Sequence, residues 1–165
     1  MSDLADPPPD PTEDAPSYVE NAIHKAVAYA RGTGLPTVAD DSGLEVSALG
    51  GAPGVRSRRY FGEDVPPAER NRMLLALLDG VADRTARFVA VIAFAQPDGR
   101  VETFDADVRG EIAESPRGED GFGYDPVFII AGDGRTMAEL PREQKNAISH
   151  RGLAAAKLRA ALTGA

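Results

Sequence analysis

The stretch Ala86–Ala95 (ARFVAVIAFA) is the longest apolar run of the chain, and turn residues bound it. Its length and its boundaries predict a central, buried β-strand. The Pro97-Asp98-Gly99 turn predicts a second strand over about Arg100 to Val108, which forms a hairpin with the first. Because helical patterns flank these strands, the predicted fold class is α/β, with a mixed central β-sheet and flanking helices.

Helix starts are marked at several places in the sequence. Ser17 and Glu20 form a capping-box pattern, Pro66-Pro67 opens a second helix, and Ser149 caps a last one. Residues 1–16 are rich in proline and acidic residues, which predicts an extended segment. The predicted organisation is therefore this segment, followed by a single domain over residues 17–165.

Composition narrows the function classes. The chain has 165 residues, of which 42% are apolar and 27% charged, and this mix suits one globular domain. Its net charge of −8 argues against polymeric nucleic acid or an anionic membrane as a partner. The absence of cysteine excludes disulfides, thiolate catalysis and cysteine metal sites. With no membrane-length apolar run and no signal-like N-terminus, we expect a cytoplasmic protein.

The acidic tetrapeptide Asp40-Asp41-Ser42-Gly43 separates two short apolar segments. This pattern predicts two strands, Leu35 to Ala39 and Leu44 to Leu49, with the carboxylates projecting where the first strand ends. Ligands of open α/β sheets bind at such ends. Adjacent carboxylates suit Mg²⁺ and can position or deprotonate a water molecule. The alternative is an ordinary Asx turn with solvated acids.

Two further groups of residues are candidates for ligand binding. Glycines in the loop Gly121–Asp125 permit close approach of a ligand to the backbone, and its aromatic rings can stack on a base. The alternative is that these aromatics are buried in the core. Lys145, His150 and Arg151 gather near a predicted helix N-terminus, where anions are favoured, although such residues also occur as ordinary surface charges.

The first predicted helix contributes another candidate. Asn21 and Lys25 are four residues apart and share one helix face, which either points into a cleft or is simply solvated.

These motifs, in this order, closely resemble those of the inosine/xanthosine triphosphate pyrophosphatase family. The resemblance runs from about Glu13 to the C-terminus. It is carried by the strings Glu20-Asn-Ala-x-x-Lys25-Ala, Ala39-Asp-Asp-Ser-Gly-Leu44, Gly50-Gly-Ala-Pro-Gly-Val-Arg-Ser57, Gly121-Phe-Gly-Tyr-Asp-Pro126, Ala138-Glu-Leu140 and Lys145-x-x-Ile-Ser-His-Arg-Gly152.

This resemblance implies a homodimer of two-lobed subunits, each with a nucleotide cleft. It implies hydrolysis of deaminated purine nucleoside triphosphates, which are inosine triphosphate (ITP), its deoxy form (dITP) and xanthosine triphosphate (XTP), to monophosphate and pyrophosphate. Glu13 and Asp41 would help to bind Mg²⁺. Asp41 would also be the general base, acting through a metal-bound or metal-adjacent water with Asp40 in support. Lys25 would reach the phosphates, and the remaining substrate contacts would come from Ser42, Phe122, Gly123, Tyr124, Asp125, Lys145, His150 and Arg151.

The sequence also departs from the family pattern. Family members begin with a strand and a Thr/Ser-x-Asn-x-x-Lys loop that cradles the triphosphate, and no such unit stands in this sequence. The second hypothesis is therefore a truncated relative that dimerises but binds nucleotide poorly. A third is another metal-dependent phosphohydrolase or nuclease that uses the Asp40 and Asp41 pair.

Overall fold

The computed structural model describes residues 11–164. Within them, one four-stranded sheet has the order β1-β2-β3-β4. The strands are β1 (Thr37–Val46), β2 (Thr85–Ala95), β3 (Val101–Ile112) and β4 (Phe128–Ile130). The helices are α1 (Tyr18–Thr33), α2 (Pro67–Leu77), α3 (Arg142–Ile148) and α4 (His150–Thr163). The predicted α/β fold class, a central sheet with flanking helices, is confirmed.

The apolar run identified in the sequence is β2, and it lies between β1 and β3 as predicted. The β2–β3 hairpin closes where the Gln96 amide donates to the Arg100 carbonyl at 2.8 Å. β3 runs past Val108 to Ile112, and its last residues, Gly110–Ile112, pair with β4.

The prediction of a mixed sheet was wrong for the described residues, because all three strand pairings are antiparallel. The reason lies in the long connections. Val46 at the end of β1 pairs with Ala86 near the start of β2, so the α2-containing connection leaves and re-enters the same end of the sheet. A parallel pair would require that connection to cross to the opposite end.

The prediction that Asp40–Gly43 breaks the chain into two strands was also wrong. This segment lies inside β1 and pairs in register with β2, Asp41 facing Val91 and Gly43 facing Val89. Glycine is required at position 43 because Ser57 lies close to it, and not because the chain turns there. A Cβ atom at Gly43 would lie 2.5 Å from the Ser57 hydroxyl oxygen. The Asx-turn alternative is therefore excluded as well.

Helices cover both faces of the sheet. On one face, small α1 residues pack on alternate β2 residues; the cluster is Ala22, Ala26, Ala30, Val91, Ala93 and Ala95. On the other face, α4 packs on Ala90 and Ile92 through Ala154 and Leu158. α2 contributes Leu74 and Leu78 to the core cluster that contains Phe88 of β2. A gap is left between α2 and α4 on this face, beside Phe88.

The capping predictions for the helices are confirmed. The Ser17 hydroxyl accepts from the Glu20 amide, and the Ser149 hydroxyl accepts from the Gly152 amide. α3 was not predicted. Of the segment predicted to be extended, residues 1–10 lie outside the described residues. Residues 11–16 form neither helix nor strand. The single-domain assignment stays a prediction. No helix in the described part of the chain is long and apolar enough to cross a membrane.

Candidate functional site

The pleat of β1 divides the predicted acidic motif between the two faces of the sheet. Successive residues of a strand point to opposite faces. Asp41 therefore lies on the α1 face, whereas Asp40 and Ser42 lie on the face that carries α2 and α4. The two halves of the motif are accordingly parts of two different clusters.

The cluster on the α1 face joins Asp41 to Lys25, Asn21 and Glu13. Asn21 Nδ2 donates to Asp41 Oδ2 at 3.1 Å, and Lys25 Nζ lies 3.3 Å from Asp41 Oδ1. Lys25 Nζ also lies 2.7 Å from Glu13 Oε1. Asn21 and Lys25 therefore share a face of α1 as their spacing predicts, and that face points at the carboxylates. Lys25 bridges the two acids that were predicted to bind metal.

Burial shapes the protonation chemistry of Asp41. The residue is only 8% exposed. Desolvation raises the pKa of the Asp41 carboxyl, while the neighbouring Lys25 charge and the hydrogen bonds from Asn21 and Lys25 oppose that rise. A carboxylate held in this way is a stronger base than a solvated one, yet its partners keep it oriented.

Asp40 takes part in a different interaction. Its Oδ2 atom accepts from Arg151 Nε at 2.7 Å, which links β1 to the first turn of α4. Since Asp40 and Asp41 project from opposite faces of β1, this arrangement does not fit the prediction that Asp40 supports the metal or the base. No cluster of three or more acidic or histidine side chains forms a metal cage within residues 11–164.

The gap between α2 and α4 forms a pocket of about 290 Å³. This volume is at the lower end of the range for small-molecule sites, so it suits a nucleobase and leaves the rest of a nucleotide outside. The pocket brings together seven predicted residues: Ser42, Phe122, Gly123, Tyr124, Asp125, His150 and Arg151. Its other lining residues are Gly43, Leu44, Ser57, Arg58, Pro67, Arg70 and Phe88.

Phe122 is the exposed aromatic residue of the pocket, with 60% of its surface accessible. Two cations lie against its ring: Lys145 Nζ is 4.7 Å and Arg151 Cζ is 5.1 Å from the ring centroid. Lys145 also pairs with Asp125 Oδ2 at 2.5 Å, and the same oxygen accepts from the Phe122 amide at 2.6 Å. The backbone amide of Phe122 is thus held by Asp125 and its ring contacts two cations, while more than half of the residue stays accessible.

Tyr124 is buried in the core, which was the alternative to stacking on a base. Its hydroxyl donates to the Ser57 carbonyl at 3.0 Å. Burial raises the pKa of Tyr124 to about 12, and the Arg70 charge opposes that rise. Tyr124 therefore anchors the aromatic loop to the segment that follows β1.

His150 is buried in the pocket wall at the start of α4. Its ring stacks on Phe88, with centroids 4.7 Å apart and planes at 11°. Desolvation, together with the charges of Arg151 and Lys145, lowers the pKa of His150 to about 3. The imidazole is therefore neutral at physiological pH, and its buried Nδ1 has no hydrogen-bond partner among the described residues.

Several residues in or next to the pocket were not predicted from the sequence. Asn71 Nδ2 donates to the Gly123 carbonyl at 3.1 Å and so holds the aromatic loop against α2. A signal for Asn71 existed, since it falls on the buried stripe of α2 with Leu74 and Leu78. Phe88 and Arg70 carried no signal: one is part of an apolar strand, and the other is an ordinary helix cation.

Comparison with known proteins identifies the relationship. The model of the Ham1 family matches residues 1–161 of the sequence. The chain belongs to the Ham1 family. The resemblance predicted from the motifs is therefore confirmed.

Relatives of this Ham1 chain include the dITP/XTP pyrophosphatase of Syntrophobacter fumaroxidans, which is 50% identical over 96% of the chain and 69% of its own length. The dITP/XTP pyrophosphatase of Deinococcus deserti is 52% identical over 92% of the chain and 72% of its own length. Among solved structures, a HAM1 protein from Coxiella burnetii superposes with a TM-score of 0.91 at 46% identity, covering 96% of this chain and 82% of that one. The Staphylococcus aureus Ham1 protein gives 0.88 at 44% identity, covering 99% and 82%.

Proposed function

We propose that the chain hydrolyses deaminated purine nucleoside triphosphates, namely ITP, dITP and XTP, to the monophosphate and pyrophosphate. Family membership and the names of the relatives support the substrate class. The observation that carries the proposal is the position of β1, which has the Asp41 cluster on one face and borders the base pocket on the other. A nucleotide whose base entered the pocket would carry its phosphates toward the margin of the strand that bears Asp41.

The chemical step assigned to Asp41 is activation of water. Asp41 takes a proton from a water molecule while the water oxygen forms a bond to the α-phosphorus. The bond from that phosphorus to the α–β bridging oxygen breaks, and its electron pair leaves with pyrophosphate. Asn21 and Lys25 hold the carboxylate in place, and burial gives it the basicity that general-base catalysis requires.

The proposed cofactor is Mg²⁺, held by Glu13 and Asp41. Magnesium in nucleotide enzymes is bound through one or two carboxylates together with substrate phosphates and water, so two acids are sufficient. The fit is supported by Lys25, whose ammonium contacts both carboxylates and shows that their oxygens converge on one cation. When bound, Mg²⁺ would offset the negative charge that the phosphates develop. Lys25 would then turn to the phosphates, as predicted.

Base selection is assigned to the α4 wall of the pocket. A donor from Lys145, His150 or Arg151 would meet the 6-keto oxygen of hypoxanthine or xanthine. Adenine presents an amino group there, and an unpaired buried donor costs about 1–3 kcal/mol. Phe122 would stack on the base, which is worth about 1–3 kcal/mol.

The proposal extends to the assembly and role of the protein. We infer a homodimer in the cytoplasm that removes deaminated purines from the nucleotide pool, because the family resemblance implies these properties. Light scattering after gel filtration tests the dimer directly: a mass of one chain would contradict it.

The experiment measures Mg²⁺-dependent pyrophosphate release from ITP, dITP and XTP, with ATP and a DNA oligonucleotide as comparison substrates. Asp41→Asn should lower kcat about 100-fold or more, because general bases contribute 10²–10⁴-fold. Asp79→Asn, an exposed aspartate beyond α2, is the matched control and should behave as the wild type. Folded wild-type protein that leaves ITP intact would refute the function. Near-wild-type activity of Asp41→Asn would refute only the assignment of the base.

A further inference from the structure

One of the two proposed metal ligands lies on a segment that has no regular structure of its own. Glu13 belongs to residues 11–16, which form neither helix nor strand. Within residues 11–164, no backbone–backbone hydrogen bond involves this segment. A carboxylate binds a cation tightly when its position is fixed in advance. The position of Glu13 must therefore come from contacts that side chains make.

Arg59 makes such a contact from the segment that follows β1. Its Nη2 donates to the backbone carbonyl of Glu13, which lies 46 positions away in the sequence, and it lies 3.9 Å from Asp14 Oδ1. Asn21 holds the same segment from α1, where its Oδ1 accepts from the Ala15 amide at 3.0 Å. The main chain around Glu13 is thus held between α1 and the segment that carries Arg59.

The segment that carries Arg59 is itself fixed to the sheet. Ser57 Oγ accepts from the Leu44 amide of β1 at 2.7 Å, and the Ser57 carbonyl accepts from the Tyr124 hydroxyl at 3.0 Å. The Arg59 amide then donates to the Arg56 carbonyl at 2.8 Å, which closes a turn. Arg59 therefore extends toward Glu13 from an anchored part of the chain.

The contact that Arg59 makes differs in kind from that of Lys25. Lys25 Nζ lies 2.7 Å from Glu13 Oε1, so a cation bound at that carboxylate has to replace it. Arg59 contacts the main-chain carbonyl of Glu13 and not its carboxylate. The Arg59 contact is therefore compatible with a metal ion at Glu13, whereas the Lys25 contact is not.

We propose that Arg59 is a positioning residue, which holds the Glu13 main chain so that the Glu13 carboxylate faces Asp41 and a divalent cation binds between them. This inference rests on the proposed function, of which that cation is a part. It predicts the sign of an effect. Removal of a positive charge beside a cation site should strengthen metal binding if charge alone matters. Loss of a positioning contact should weaken it.

The test adds Mn²⁺ alone to the full chain, without nucleotide, and measures free Mn²⁺ by electron paramagnetic resonance. Mn²⁺ takes the same oxygen ligands as Mg²⁺. Arg59→Met keeps an apolar stem but has no donor, and we expect its dissociation constant for Mn²⁺ to rise about 10-fold or more. Arg59→Lys keeps a donor and the charge, and its dissociation constant should lie between these two. The matched control is Arg56→Met, because Arg56 is an exposed arginine of the same segment, and it should bind Mn²⁺ as the wild type does.

A second comparison determines whether Arg59 acts through Glu13. Glu13→Gln removes the carboxylate charge but keeps the main-chain carbonyl that Arg59 contacts. In that background Arg59→Met should have no further effect on Mn²⁺ binding, because the positioned ligand is already lost. The same loss in both backgrounds, or tighter binding by Arg59→Met, would overturn the inference. If Arg59→Met does not fold, Arg59→Gln replaces it, since its shorter side chain should lose the same contact.

The outcomes for this inference and for the proposed function are separate, because the titration involves no hydrolysis. Equal affinities of the folded wild type and the folded Arg59→Met protein would overturn the inference alone. A wild type that binds no Mn²⁺ would overturn it together with the proposed metal site. Intact ITP in the presence of a protein that binds Mn²⁺ would refute the function and leave the inference standing.

Discussion

The burial of His150 predicts that this one side chain makes the protein sensitive to mild acid. In the folded protein its pKa is about 3, whereas the ordinary value is 6.5. Between these values the unfolded chain binds a proton at this position and the folded chain does not. Falling pH therefore favours unfolding through this window, and the stability is fully present only above the unfolded pKa.

The size of the effect follows from the same two values. At pH 5 the folded ring is still neutral, whereas the pH lies about 1.5 units below the ordinary pKa of the ring in the unfolded chain. At 1.36 kcal/mol per unit, the free energy of unfolding should fall by about 2 kcal/mol between pH 7.5 and pH 5 because of His150. Arg151 and Lys145 reinforce the effect and Asp40 opposes it, since these are the charges that act on the ring.

The assay is urea denaturation of the wild type and of His150→Gln at the two pH values. The pH-dependent loss of stability should be about 2 kcal/mol smaller in the variant, and titrations elsewhere, such as that of Asp41, cancel in the subtraction. His24→Gln is the matched control, because His24 is the other of the two histidines of the chain and is exposed on α1. It should lose stability with pH in parallel with the wild type.

Two results would refute this reasoning. Equal pH-dependent losses in the wild type and His150→Gln would show that His150 does not titrate differently on unfolding. A His150 ring resonance that shows protonation between pH 7 and pH 6 would show the same thing in the folded state.

Two other predictions concern the packing around the site. Asn71→Ala removes the donor to the Gly123 carbonyl and should raise the KM for ITP about 5- to 10-fold with little change in kcat, whereas a matching fall in kcat would contradict a role confined to positioning the loop. Gly43→Ala places a methyl group against the hydroxyl oxygens of Ser57 and Tyr18, at 2.5 and 2.9 Å, and should destabilise the fold by about 1–3 kcal/mol in thermal melts. A variant as stable as the wild type would show that β1 has room there.

Local patterns predicted the elements of this fold well. The apolar run of β2, the Pro97-Asp98-Gly99 turn and the serine caps of α1 and α4 each depend on interactions within a few residues, and all are confirmed. Strand direction depends on which end of the sheet a long connection returns to. That choice is made by packing and leaves no mark in a single strand.

The acidic motif illustrates a different limit. Asp and Gly are typical of turns, so Asp40–Gly43 was predicted to interrupt a strand. Pairing with β2 overrides that preference, and Gly43 is required by the approach of Ser57 from another segment. The pocket residues Arg70 and Phe88 were likewise beyond prediction, because their neighbours are distant in sequence.

The alternation of Asp40, Asp41 and Ser42 across the two faces of β1 separates two selectable properties. Under the proposed function, a change at Asp40 or Ser42 would alter the side of β1 that borders the base pocket, and a change at Asp41 would alter the hydrolytic step. Substrate range could then evolve on one side of this strand without disturbing the chemistry on the other. Shifting β1 by one residue relative to β2 would exchange the two sides, so that freedom depends on a fixed alignment of the two strands.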